Sequence, residues 1–158
     1  MIETEAKIQL SKEEFRELYQ RLGHPEFVLQ KNWGYVSENS VIRVREEGEK
    51  KYVTLKRSNQ APGKYNSREE IELMISDVGS VKRIFEILGL TNKYYYEKKR
   101  ATTNVGNCVV CLDSIARLGE FVEVEGEANN IEGVLEGFGL LNKPIERRSY
   151  FEMLRMNT

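Results

Sequence analysis

The sequence predicts an α+β protein: eight antiparallel strands closed into a barrel, with helices packed outside. Three observations point there. Segments of alternating polar and apolar residues recur along the chain, the pattern of strands with two unlike faces. Most links between them are too short for a parallel crossover, which makes neighbours antiparallel. Segments with apolar residues at helical spacing interrupt the series, each needing an apolar surface to cover. Eight strands are about enough to close around side chains or one small ligand. With three prolines and no internal repeat or long linker, residues 1–158 read as a single domain.

The elements follow in order. Residues 2–10 alternate strictly: Ile2, Thr4, Ala6, Ile8 and Leu10 take one face, and Glu3, Glu5, Lys7 and Gln9 the other. Ser11 opens a capping box with Glu14, and Phe15, Leu18, Tyr19 and Leu22 make a helical stripe that Gly23 stops. Strands are expected near 27–36, 41–46, 51–58 and 69–75, divided by NS, EEGEK and SNQAPGKYN. A helix near 78–89 carries Val81, Ile84, Phe85 and Leu88. Strands near 93–103, 108–115 and 120–126 follow, then a helix near 130–138 with Ile131, Val134, Leu135 and Phe138, and a short helix near 148–156.

Composition excludes several function classes. The 24 Lys and Arg balance 25 Asp and Glu, against a generally basic nucleic-acid binder or a polybasic membrane protein. No apolar run approaches the roughly 20 residues of a membrane-spanning helix. The acidic, alternating start MIETEAKIQL is neither a signal nor a transit peptide, and a cytoplasmic protein is expected. Cys108 and Cys111 are offset by three positions, so on a strand they face opposite ways and read as buried thiols. His24 reads as a surface-turn residue and Trp33 as a half-buried strand residue.

The charges are arranged by strand face. Glu3, Glu5 and Lys7 share a face; so do Arg43 and Arg45, Thr54 and Lys56, Glu70 and Glu72, Lys98 and Arg100, and Glu123 and Glu125, with Asp113 on the strand between the last two pairs. Any one such face could meet water. Taken together, if helices cover the apolar faces outside, the charged faces point inward. An interior holding these seven carboxylates and six cations needs pairing, hydration or a ligand. Carboxylate clusters suit hard cations such as Mg²⁺ and Mn²⁺, and Arg and Lys suit phosphate oxygens. A polyanion carried with its metal fits both.

These segments resemble the CYTH domain, the triphosphate tunnel metalloenzymes, which include class IV adenylyl cyclases, thiamine triphosphatases and inorganic triphosphatases. ETEAK at 3–7 is similar to the family's ExExK, RVR at 43–45 to RxR, TLK at 54–56 to TxK and REEIE at 68–72 to RxExE. KKR at 98–100 is similar to KxR, LDSIARLGEFVEVE at 112–125 to an Asp followed by LG and ExE, and RRSYFEML at 147–154 to a C-terminal RSY segment. The resemblance implies an eight-stranded tunnel with metal held by Glu3, Glu5, Glu123 and Glu125, with Asp113 nearby. It implies phosphates gripped by Lys7, Arg43, Arg45, Lys56, Lys98 and Arg100, with Glu70 and Glu72 also lining the lumen. One departure is NWGYVSEN, where many members carry an acidic YFD segment; the change is expected at the tunnel mouth, beside the organic part of a substrate.

Three functions follow as expectations. The first is a Mg²⁺- or Mn²⁺-dependent triphosphatase acting on inorganic triphosphate, thiamine triphosphate or a nucleoside triphosphate. The second is a class IV adenylyl cyclase making cyclic AMP and pyrophosphate from ATP. The third is a non-catalytic polyphosphate or nucleotide sensor. The expected partner is a small-molecule triphosphate, with neither membrane nor nucleic acid, and pairing of two copies is left open.

Overall fold

The computed structural model describes residues 1–58 and 63–156; of the loop SNQAPGKYN, residues 59–62 lie outside the described residues, as do residues 157 and 158. Eight strands form one closed barrel: β1 (Ile2–Leu10), β2 (Phe27–Val36), β3 (Ser40–Glu47), β4 (Lys50–Ser58), β5 (Asn66–Met74), β6 (Lys93–Val105), β7 (Cys108–Ile115) and β8 (Gly119–Glu125). Around the barrel the order is β1-β5-β4-β3-β2-β6-β7-β8, antiparallel at every step. β5 begins three residues earlier than the sequence pattern suggests, because Asn66 pairs with Glu5 and Ser67 with Thr4.

Three helices lie outside, where their stripes find the apolar strand faces: α1 (Lys12–Arg21), α2 (Val78–Ile87) and α3 (Ala128–Gly137). Ser11 and Glu14 close the predicted capping box on α1. Leu18 of α1 and Ile131 and Leu135 of α3 pack with Ile8, Leu112, Val122 and Val124, forming the main core. α2 covers β2, β3 and part of β4 through Val78, Val81 and Phe85. The cover is not complete. Ile84 and Leu88 of the expected α2 stripe are 52% and 71% exposed, and Ile71 and Leu73 on the outer face of β5 are 50% and 61% exposed. The helix is centred over β3 and too short to reach across β5 as well. Among the described residues, no helix is long and apolar enough to cross a membrane.

The fourth helix, α4 (Tyr150–Met156), takes a different place. It closes the barrel end formed by the C-terminal ends of β1, β2, β4 and β7. There Tyr150, Phe151, Met153 and Leu154 pack with Val36, Val41, Tyr94, Tyr96, Ile115 and Phe121. Gly34 makes the close approach possible, since a Cβ on it would stand 2.4 Å from the Phe151 ring. Residues leading into α4 are strapped across β1 and β5. The Glu146 amide donates to the Lys7 carbonyl at 2.8 Å, Asn66 Nδ2 to the Glu146 carbonyl at 3.3 Å, and Arg68 Nη2 to the Arg147 carbonyl at 2.9 Å.

Candidate active site

The inward strand faces enclose a cavity of about 240 Å³. Its lining includes Glu3, Glu5, Lys7, Arg43, Arg45, Lys56, Glu70, Glu72, Lys98, Arg100, Glu123 and Glu125, which is every candidate read from the sequence except Asp113. Register explains the convergence, because cross-strand partners on one face touch. Lys56 stands opposite Glu70, Arg43 opposite Thr54, Thr54 opposite Glu72, Lys7 opposite Glu123, and Glu5 opposite Glu125.

Two kinds of neighbourhood result. On the β4–β5 side, Lys56 Nζ lies 2.7 Å from Glu3 and 3.0 Å from Glu70. Burial works to raise both carboxyls, but Glu70 ends below its ordinary value through Glu3 and Lys56, while Glu3 ends above it. The two carboxylates share one ammonium. Thr54 Oγ1 donates to Glu72 at 2.9 Å, with Arg43 Nη2 3.9 Å from the same carboxylate.

On the β6–β8 side, Asp113 is fully buried and stands behind the cavity wall. Its carboxylate accepts from Lys98 Nζ at 3.1 Å, Arg100 Nε at 2.7 Å, Arg100 Nη2 at 2.6 Å and the Tyr150 hydroxyl at 2.8 Å. Glu123 pairs with Arg100 at 2.5 Å and with Lys7 at 3.8 Å. Burial opposes its ionisation, yet Arg100, Lys98 and Lys7 hold it well below the usual carboxylate range. Lys98 moves the other way. Burial and then Arg100 outweigh Asp113, which Arg100 already engages, and its ammonium is pushed down to about 7.

Glu3, Glu5 and Glu125 each place a carboxylate oxygen within 4.8 Å of the other two. Burial, then Glu123 and Glu3, push the Glu125 carboxyl up to about 7. Three converging carboxylates, two of them directly opposed in the register, are the donor set a hard divalent cation takes. Glu123 and Asp113 are not part of this group: their carboxylates pair with Arg100, Lys7 and Lys98 on the β6–β8 side, whereas Glu3 stays in the cluster although Lys56 also contacts it. The fit therefore favours a metal held by Glu3, Glu5 and Glu125.

The cations present unused donors. Arg45 is 8% exposed; its Nε donates to Asn32 Oδ1 at 2.8 Å, while its Nη2 is buried without a partner, as is Arg43 Nε. Burial and the neighbouring Arg43 and Arg100 pull the Arg45 guanidinium down to about 10. A buried, unpaired guanidinium donor is costly unless an anion fills it.

Sequence reasoning did not place Asn32, Tyr96, Arg68 or Phe151 in or beside the site; Ser149 and Tyr150, from the RRSYFEML segment, also line the cavity. Asn32 was legible in principle as a polar residue on the inward parity of β2, between Gln30 and Gly34. The turn between β2 and β3, expected at an open mouth, is at the end that α4 closes, where Val36 and Val41 pack on it. Trp33 faces outward against Tyr95 and Lys82. His24 lies in the turn after α1 with φ 57°. Cys108 and Cys111 are buried free thiols.

A closed antiparallel barrel with an inward-facing set of carboxylates and cations defines a class of barrel proteins with a charged lumen. The CYTH domain matches residues 1–150, and the chain belongs to the CYTH domain family. Solved structures share the fold. A conserved hypothetical protein from Pyrococcus furiosus is 22% identical over 95% of this chain and 98% of that one, with a TM-score of 0.78. A protein from Pyrococcus horikoshii OT3 is 23% identical over 99% of both chains, with a TM-score of 0.69. A Hippeastrum protein described as an adenylyl cyclase candidate with a dominant triphosphatase activity is 19% identical over 99% of this chain and 96% of that one, with a TM-score of 0.72. The comparison with curated proteins returns no match.

Proposed function

We propose that this protein is a divalent-metal-dependent triphosphatase. The observation that carries the reading is the pair of buried, unpartnered guanidinium nitrogens, Arg45 Nη2 and Arg43 Nε, on two residues that line the same cavity as the Glu3, Glu5 and Glu125 cluster. Lys56, Lys98 and Arg100 reach the cavity from other strands, so a phosphate chain would be surrounded along its length rather than held at one end.

Charge balance supports a metal–phosphate pair. The lining carries seven cations (Lys7, Arg43, Arg45, Lys56, Arg68, Lys98, Arg100) against six carboxylates (Glu3, Glu5, Glu70, Glu72, Glu123, Glu125). A bare triphosphate would leave the lumen strongly negative. A bound Mg²⁺ or Mn²⁺ would neutralise part of that charge and polarise a phosphoryl oxygen. The protein's own share of the work is positioning and electrostatic stabilisation. Arg43 and Arg45 offer forked donors to phosphate oxygens, Lys56 and Lys98 offer point charges, and Arg100 is held rigid by its bidentate pairing.

Hydrolysis is preferred over cyclisation because the lining is charged nearly throughout. Val41, Tyr96, Tyr150 and Phe151 are its apolar and aromatic members, and all four lie toward the end that α4 fills. A nucleoside would have to displace that packing. The deciding experiment supplies purified protein with tripolyphosphate, thiamine triphosphate or ATP, with Mg²⁺ or Mn²⁺, and separates the products. Orthophosphate release is expected. Cyclic AMP with pyrophosphate would instead establish the cyclase, and tight binding without turnover a sensor.

A further inference from the structure

We propose that Asp113 and Tyr150 are positioning residues through which the C-terminal helix sets the geometry of the anion-binding cations; this rests on the triphosphate reading above. Asp113 is 0% exposed and outside the cavity lining, so it faces no ligand directly. Among the described residues, its carboxylate accepts four hydrogen bonds from three residues: Lys98, Arg100 twice, and Tyr150. Lys98 and Arg100 both line the cavity. The bidentate contact fixes the plane of the Arg100 guanidinium, and the same Arg100 Nη2 that reaches Asp113 also reaches Glu123. The shared oxygen, Asp113 Oδ2, holds Lys98 Nζ back against β7.

Tyr150 completes the arrangement from outside the barrel strands. Its hydroxyl donates to that same Oδ2, and burial together with Asp113 keeps the phenol well above its ordinary range, so it remains a donor. The ring also contacts two lysines, with Lys7 Nζ 4.5 Å and Lys98 Nζ 4.9 Å from its centroid. Lys7 Nζ donates in addition to the Arg148 carbonyl at 3.0 Å. Thus the residue that begins α4 touches Asp113 and two of the lumen cations, and the strap before it touches Lys7. A plug that merely filled space would need neither the hydroxyl nor the strap. The arrangement makes the position of α4 and the position of Lys98 one variable.

The test measures three quantities on wild type, Asp113→Asn, Tyr150→Phe and the double variant: tripolyphosphate affinity without metal, Mn²⁺ affinity without phosphate, and melting temperature. Asp113→Asn is expected to weaken metal-free tripolyphosphate binding by about tenfold or more, the scale of a lost charged hydrogen-bond network, with Mn²⁺ affinity unchanged within about twofold. Tyr150→Phe keeps the ring and removes one hydrogen bond, so a smaller loss in the same direction is expected. The double variant should match Asp113→Asn, because Tyr150 acts through Asp113. A parallel loss of Mn²⁺ affinity in Asp113→Asn would make Asp113 a metal ligand and overturn the proposal. Additive losses would also overturn it, as would unchanged tripolyphosphate binding in a folded Tyr150→Phe. Wild type that binds no tripolyphosphate at all would overturn the triphosphate reading itself, a different result from any of these.

Discussion

Glu5 and Glu125 stand directly opposite one another on β1 and β8, and Glu3 closes a triangle of carboxylates with them. Like charges facing across a strand pair are destabilising on their own, and Glu125 answers by holding its proton to about pH 7. A divalent cation removes that conflict. Glu125→Gln is therefore expected to weaken Mn²⁺ binding by on the order of tenfold or more, since a neutral amide replaces an anionic ligand at nearly constant shape. The metal-free protein should melt no lower than wild type. Calorimetric Mn²⁺ titration with melting curves in chelator checks both, and unchanged Mn²⁺ affinity would place the metal elsewhere.

Arg45 gives the complementary test on the anion side. Its Nε is anchored by Asn32, and its Nη2 is buried and unpaired on a residue that lines the cavity. Arg45→Ala should cost tripolyphosphate binding roughly 1.5–3 kcal/mol, the range for a hydrogen bond to a charged group. Asn32→Ala should lose part of the same energy by freeing the guanidinium. Stability without ligand should hold or rise, because Arg45 is crowded by Arg43 and Arg100. Binding left intact in Arg45→Ala would remove it from the clamp.

Much of this site was legible because period-two alternation survives barrel closure. Lys56, Thr54 and Arg43 are readable as inward residues from their own strands, without knowing which strands pair. What alternation cannot supply is depth. Asp113 has the same inward parity as Cys111 and the same chemistry as Glu125, yet Lys98 and Arg100 draw it behind the wall, and only the β6–β7 register reveals that. Alternation is also blind to elements that are not strands. Tyr150 and Phe151 carry no period that distinguishes a helix lying on a barrel from one closing its end. The exposed Ile71 and Leu73 have the same origin, since an apolar outer face on β5 reads identically whether or not a helix reaches it.

Gly34 tests the closed end. Its missing Cβ leaves room for the Phe151 ring, and a methyl there would meet three ring carbons at 2.4–2.6 Å. Gly34→Ala should therefore destabilise the protein by about 1–3 kcal/mol, the usual range for overpacking, or release α4. Chemical denaturation measures the first, and limited trypsin digestion followed at Arg147 and Arg148 measures the second. Pairing the change with Phe151→Ala should restore much of the stability lost by Gly34→Ala, relative to Phe151→Ala alone. An unaffected Gly34→Ala would mean that α4 does not pack where the structure puts it.

The last test is the pH dependence of the cation set, where Lys98 carries the sign. Burial and Arg100 lower its ammonium to about 7 from an ordinary value of 10.5. In the free protein, Lys98 thus loses its charge as pH rises through 7. An anion favours the charged form, so metal-free tripolyphosphate binding should weaken between about pH 6 and pH 8.5 and take up a proton when it occurs near pH 7–8. Stability runs the opposite way. A lysine whose folded value is depressed contributes fully above its unfolded value near 10.5, and that contribution declines as pH falls toward 7. Relative to Lys98→Met, wild type without ligand should therefore lose ground as pH falls from about 10 to 7. Lys98→Arg keeps its charge throughout this range and should flatten the binding profile. Calorimetry in buffers of different ionisation enthalpy measures the proton uptake directly. A binding profile as steep in Lys98→Arg as in wild type would assign the titration to another group.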